Sequence, residues 1–79
     1  MATKAQQSTR YRRLPPFLRT MREKAGLTQR QLGKRLGKPQ SYIYNCETAN
    51  RRVDVSEFAH WARACKVDPI AALKKFLAL

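Results

Sequence analysis

Apolar residues recur along this chain at helical spacing, and no stretch alternates with the period of two that marks a half-buried strand. Leu18, Met21 and Ala25 form the stripe of a first helix. Pro15 and Pro16 stand at its mouth, where a missing N–H costs nothing, and Gly26 ends it as a left-handed cap. Thr28 and Gln31 have the spacing of a capping box, and Leu27 with Leu32 fits the hydrophobic staple around it. A second helix is therefore predicted over about 28–36, with Leu32 and Leu36 inward and Arg30, Lys34 and Arg35 outward. Gly33 in its middle costs about 1 kcal/mol relative to alanine, which predicts another helix crossing close to its backbone.

Gly37 breaks that helix, and Pro39 can open the next at its first position after a tight turn. In "PQSYIYNC" a turn of 100° per residue gathers Gln40, Ser41, Tyr44 and Asn45 on one face and leaves Pro39, Ile43 and Cys46 on the other. Amides, a hydroxyl and a phenol make neither a core nor an ordinary charged solvent face. They are donors and acceptors suited to the edges of bases. Two short helices joined by a glycine turn, the second with an exposed polar face, form a helix-turn-helix over about 28–47. After a loop in which Asn50 can adopt a left-handed conformation, Asp54 and Glu57 cap a fourth helix with the stripe Val55, Phe58, Ala59, Ala62 and Cys65. Trp61 fits either a half-buried core position or a partner surface, and His60 lies on the wet side. Asp68 and Pro69 open a last helix with the stripe Ile70, Leu73, Phe76 and Leu77. The expectation is an all-α, compact five-helix bundle.

Charge adds a direction to this picture. Residues 1–52 carry 13 Lys or Arg against Glu23 and Glu47, while residues 53–79 carry 4 against Asp54, Glu57 and Asp68. A net +12 placed almost wholly in one part of the chain attracts polyanions, of which nucleic acid is the commonest in a cell. Residues 1–14, polar and basic, read as a flexible arm in which Arg10, Arg12 and Arg13 tether phosphates and Tyr11 is available to stack. The remaining chemistry is mostly exclusion. Seventy-nine residues make a single domain with little room for a catalytic cleft. Cys46 and Cys65 are too far apart in sequence, and too poor in neighbouring histidines, to suggest a zinc site or a disulfide framework. No cofactor, metal or membrane span is expected, His60 has no nucleophile near it in sequence, and a cytoplasmic protein with reduced cysteines is the natural reading.

From Leu18 to Val67 the chain resembles the phage repressor and Cro family of helix-turn-helix domains, also called the xenobiotic-response-element type. The resemblance is carried by "LRTMREKAGLTQRQLGKRLG" and "KPQSYIYNCETANRRVDVSEFAHWARACKVDP", in which Leu32, Gly33, Leu36, Gly37, Ile43 and Cys46 fall at the family's packing and turn positions. It implies a lambda repressor-like fold over 15–67, with 68–79 as a C-terminal helix available for dimerisation. It also implies that Gln29 grips a phosphate, that Gln40 and Ser41 lead the recognition helix into the major groove, and that Arg22 and Glu47 form a structural ion pair. The departures are Lys38 for an aliphatic residue, Ala49 for a glycine after the glutamate, and Cys65–Lys66 for Leu-Gly. The second and third bear on loop geometry more than on the fold.

The functional expectation is a dimeric repressor that occupies an inverted-repeat operator and excludes polymerase, with autoregulation of a short operon. Gln40, Ser41, Tyr44 and Asn45 would read bases, and Gln29, Lys38, Tyr42, Arg51, Arg52 and the N-terminal arginines would hold phosphates. Trp61, Leu73, Phe76, Leu77 and Leu79 would join the two copies, although a core role for the last helix is equally compatible with its pattern. Two other classes remain open at this level. One is an antitoxin or accessory module whose main partner is a protein; the other is a nonspecific nucleic-acid binder.

Overall fold

The computed structural model describes residues 9–79. A single helical turn, α1 (Thr9–Arg12), leads into five longer helices: α2 (Leu14–Lys24), α3 (Gln29–Leu36), α4 (Gln40–Glu47), α5 (Val55–Ala64) and α6 (Pro69–Leu77). All described secondary structure is helical.

The starts are made by side chains. Thr28 Oγ1 accepts the Gln31 N–H at 3.1 Å while Gln31 Oε1 accepts the Thr28 N–H at 2.9 Å, and Asp54 with Glu57 repeats the reciprocal pair at 2.8 and 3.0 Å. Asp68 caps α6 through the Ala71 N–H. Pro39 differs from expectation. It is the N-cap of α4, with an extended ψ of 161°, and the helix proper starts at Gln40.

The ends share one device. After α2, α3, α4 and α5 the chain turns through a residue in the left-handed region: Gly26 (φ 75°), Gly37 (67°), Ala49 (64°) and Lys66 (60°). In each case the next residue's N–H returns to a carbonyl five positions back: Leu27 to Arg22, Lys38 to Gly33, Asn50 to Asn45 and Val67 to Ala62. Asn50 is therefore not the left-handed residue of its loop, because the bond from its N–H to Asn45 puts Ala49 at that position.

Leu18, Leu32, Ile43, Cys46 and Ala62 are completely enclosed, and Trp61 nearly so. α3 packs against α4, and both pack onto neighbours in this core, α4 on α2 and α3 on α5. Gly33 is needed for a different close approach from the one expected. A Cβ there would lie 2.7 Å from the Lys38 carbonyl oxygen and 3.4 Å from Pro39 backbone atoms, so it is the turn into α4 that presses closest on α3. Both cysteines are free and buried, and burial pushes both thiols up from their ordinary value.

Three further expectations are corrected. The flexible arm over 1–14 does not extend through residues 9–14: α1 is helical, Leu14 and Pro15 are buried, and the Tyr11 hydroxyl accepts the Val53 N–H at 2.8 Å. The remainder of the arm lies outside the described residues. Two aromatic and aliphatic anchors amid the charges hold this end down. Val55, assigned to a buried stripe, and Ile70, assigned to the apolar stripe of the last helix, are 77% and 71% exposed; each sits in the first turn of its helix, splayed away from the core. Trp61 is a core residue, 1% exposed, with its indole N–H bonded to the Leu18 carbonyl at 3.2 Å.

Candidate nucleic-acid interface

The polar face of α4 stands as its periodicity implied. Ile43 and Cys46 are fully buried, which turns Gln40, Ser41 and Tyr44 outward to solvent and leaves Asn45 half-exposed. What holds this helix in place is a chain of polar contacts from α2. Arg22 clamps Glu47 with two bonds, Nε to Oε2 at 2.6 Å and Nη2 to Oε1 at 3.1 Å, and its third nitrogen donates to the Leu27 carbonyl at 2.7 Å. Both side chains are nearly enclosed, 10% and 2% exposed, and Glu47 raises the pKa of Arg22 above its ordinary value. A planar guanidinium matched to both carboxylate oxygens fixes orientation as well as distance. Glu47 Oε1 also accepts from Gln29 Nε2 at 3.1 Å, and Gln29 Oε1 accepts from Gln40 Nε2 at 3.4 Å. The N-terminal end of α4 is thus braced from the first residue of α3, whose own backbone N–H has no partner within the helix.

The far side of α4 is braced by a second set. Glu57 spends Oε1 on its own helix cap, while Oε2 accepts the Tyr42 hydroxyl at 2.8 Å and meets Arg51 Nη1 at 2.7 Å. The Arg51 bond, followed by the Asp54 and Tyr42 bonds, holds the Glu57 carboxyl at about 2, against the opposing effect of burial. Tyr42 is pushed well above its ordinary value by burial and by donating to Glu57. Its ring lies between two cations, with Lys38 Nζ at 5.3 Å and Arg51 Cζ at 4.8 Å from the centroid. Tyr42 was expected among the phosphate donors. Its only hydroxyl proton goes to Glu57, and its ring faces Lys38 and Arg51. The Arg52 guanidinium lies 4.4 Å over the Tyr11 ring, which ties α1 to the loop before α5.

The other assigned residues separate. Lys38 is exposed at the turn before Gln40. Arg10 and Arg12 lie on α1, but Arg13 lines a groove between α2 and α6 to which neither α3 nor α4 contributes. On α6, Phe76 is half-buried edge-on to Phe17 at 5.5 Å and belongs to this copy's own packing, as Trp61 does. Leu73, Leu77 and Leu79 are 37%, 53% and 58% exposed, and Ile70, of the same apolar stripe, joins them on the surface. Glu57 was read from its spacing as a cap alone; nothing in linear sequence links it to Tyr42, fifteen residues earlier.

Two short helices joined through a left-handed glycine, the second offering a braced polar face, define a helix-turn-helix domain. Residues 16–73 match the family profile described as a helix-turn-helix domain. An "XRE-family like protein" from Pseudomonas syringae pv. tomato str. DC3000 is 38% identical over 96% of each chain, with a TM-score of 0.78. The chain belongs to the xenobiotic-response-element family of helix-turn-helix DNA-binding domains. The clp gene regulator ClgR of Corynebacterium glutamicum shares the fold at 21% identity, with a TM-score of 0.73 over 84% of this chain and 70% of that one. No curated protein sequence matches the chain.

Proposed function

We propose that this protein is a sequence-specific transcriptional repressor that lays α4 in the major groove of an inverted-repeat operator as a homodimer. The observation that carries the reading is the bracing of Gln40 through Gln29 and Glu47 to Arg22, which holds an exposed polar face in fixed register at the end of the helix that leads into the groove. Gln40 has the donor and acceptor pair that matches adenine N7 and N6, and Ser41, Tyr44 and Asn45 stand beside it. Gln29 with its N-terminal N–H, Lys38, Arg51, Arg52, Arg10 and Arg12 supply phosphate contacts, which set position without reading sequence. A single helix reads too few base pairs to find one site in a genome, so two copies are required, spaced about one helical turn apart. Occupancy of such a site next to a promoter excludes polymerase, and the same mode of action would serve autoregulation of a short operon.

The test is selection of random duplex DNA by the purified protein at about 0.15 M salt, near physiological ionic strength. A palindromic motif with half-sites about one turn apart is the expected outcome. Recovery of bound DNA without any enriched motif would overturn sequence-specific reading.

A further inference from the structure

A groove runs between α2 and α6, lined by none of the residues of α3 or α4. Its deeper part, about 170 Å³, has Phe17, Met21, Val67 and Ala72 among its walls. It opens past Thr20 into a trough of about 840 Å³ that ends at Arg13 and Leu79. Every charged side chain along both parts is a cation: Arg13, Lys24 and Lys75. Among the described residues none of the three has an ion-pair partner.

We infer that this groove docks an acidic amphipathic segment of another protein, with one apolar side chain in the pocket and carboxylates against Arg13, Lys24 and Lys75. Charge selects the occupant. A second copy of this chain brings a net +12, and of its few acids Glu47 and Glu57 are already held by internal partners, so two grooves face to face would repel. DNA has no apolar side chain to fill the pocket. A small ligand would lie open to water in so shallow a trough, whereas a helix laid along it closes it from above. Turned at 100° per residue, α6 places Lys75 on one flank and Ile70, Leu73 and Leu77 on the other, so of the residues assigned to dimerisation only Leu79 borders the groove. Because α4 takes no part, a DNA-bound copy can carry such a segment, and the inference stands whether or not DNA is read as proposed.

The probe is a fluorescein-labelled helical peptide with a Leu/Phe face and a Glu-rich face, compared with the same peptide carrying Lys for Glu. Binding is followed by anisotropy and by amide shifts in labelled protein. The Glu peptide is expected to bind, shifting α2 and α6, and the Lys peptide is not. Lys24→Gln with Lys75→Gln should weaken it about tenfold, whereas Lys34→Gln with Lys74→Gln, an equal change in charge outside the groove, should weaken it less than about twofold. Thr20→Trp fills the trough at constant charge and should weaken binding by about tenfold or more. Equal losses in the two lysine pairs, shifts centred on α4, or no binding at about 100 μM peptide would each overturn the proposal. The exposed lysine pairs decide the matter even if the tryptophan disturbs the fold.

Discussion

Two residues carry backbone strain that their neighbours do not relieve. Ala49 and Lys66 adopt φ of 64° and 60° to close helices α4 and α5, where glycine would pass without a Cβ clash. The left-handed conformation costs an L-residue about 1–2 kcal/mol, and glycine gives back part of that advantage through its freer unfolded chain. Ala49→Gly and Lys66→Gly should each stabilise the fold by about 0.5–1 kcal/mol, seen as a higher urea midpoint at unchanged slope. A lower midpoint would mean that the loop geometry is not the source of the cost. Gly33→Ala should do the opposite in spite of alanine's helix propensity. Its Cβ would meet the Lys38 carbonyl at 2.7 Å, and backbone cannot swing aside, so a loss of about 1–3 kcal/mol is expected with a displaced turn. These positions show what linear sequence displays and what it conceals. The missing glycines at 49 and 66 were visible as departures from a pattern. That Gly33 faces a turn, and that Asn50 is not the left-handed residue, depended on which carbonyl each N–H reaches.

The helix-turn-helix works as an element because α4 is tied from both sides. On one side the tie reaches Gln40, and under the proposed reading Gln40→Ala and Asn45→Ala should relax specificity at particular base pairs, each by about 1–3 kcal/mol, in competition binding against substituted sites. Equal losses on selected and random DNA would show that these residues do not read bases. Arg51→Ala should instead weaken all sequences alike and lower the salt slope by about 1. On the other side the tie is Glu57, whose folded pKa of about 2 lies below its ordinary 4.5. A depressed carboxyl stabilises the fold above the unfolded pKa and loses that contribution as pH falls through the folded one. Thermal stability of the native protein should therefore fall between pH 4.5 and about 2 more steeply than that of Glu57→Gln, and the gap between them at neutral pH should close toward pH 2. Parallel curves would remove Glu57 from the account. Capping boxes, the buried stripe of α3 and the polar face of α4 were all legible, since each depends on spacing within one helix. The Tyr42–Glu57–Arg51 set was not, because it joins three segments through the fold.

At the scale of the whole molecule, the proposed function asks one chain to attract a polyanion and also to accept a second copy of itself. The chain's charge distribution separates the two tasks. Residues 53–79, which contain α5 and α6, carry 4 cations against 3 acids, so two copies of the proposed dimer would meet there with the least repulsion and keep the basic remainder for phosphate. The apolar flank of α6 lies in this near-neutral half, and of the residues first assigned to the interface only Leu73, Leu77 and Leu79 remain exposed enough to serve, with Ile70 beside them. Ile70→Asp with Leu77→Asp should give monomers by sedimentation equilibrium while leaving the melting of the dilute single copy nearly unchanged. Operator affinity should fall by about 10²–10⁴, the gain that linked half-sites provide. Phe76→Asp is the contrasting case: because Phe76 packs on Phe17 within its own copy, it should lower stability whether or not copies associate. Salt separates the tasks again. Added salt weakens DNA binding by restoring counterions but screens copy from copy, so dimerisation should strengthen between about 0.05 and 0.3 M as DNA binding declines. A dimer that weakens in parallel with DNA binding would place its contacts among the basic residues and away from α6.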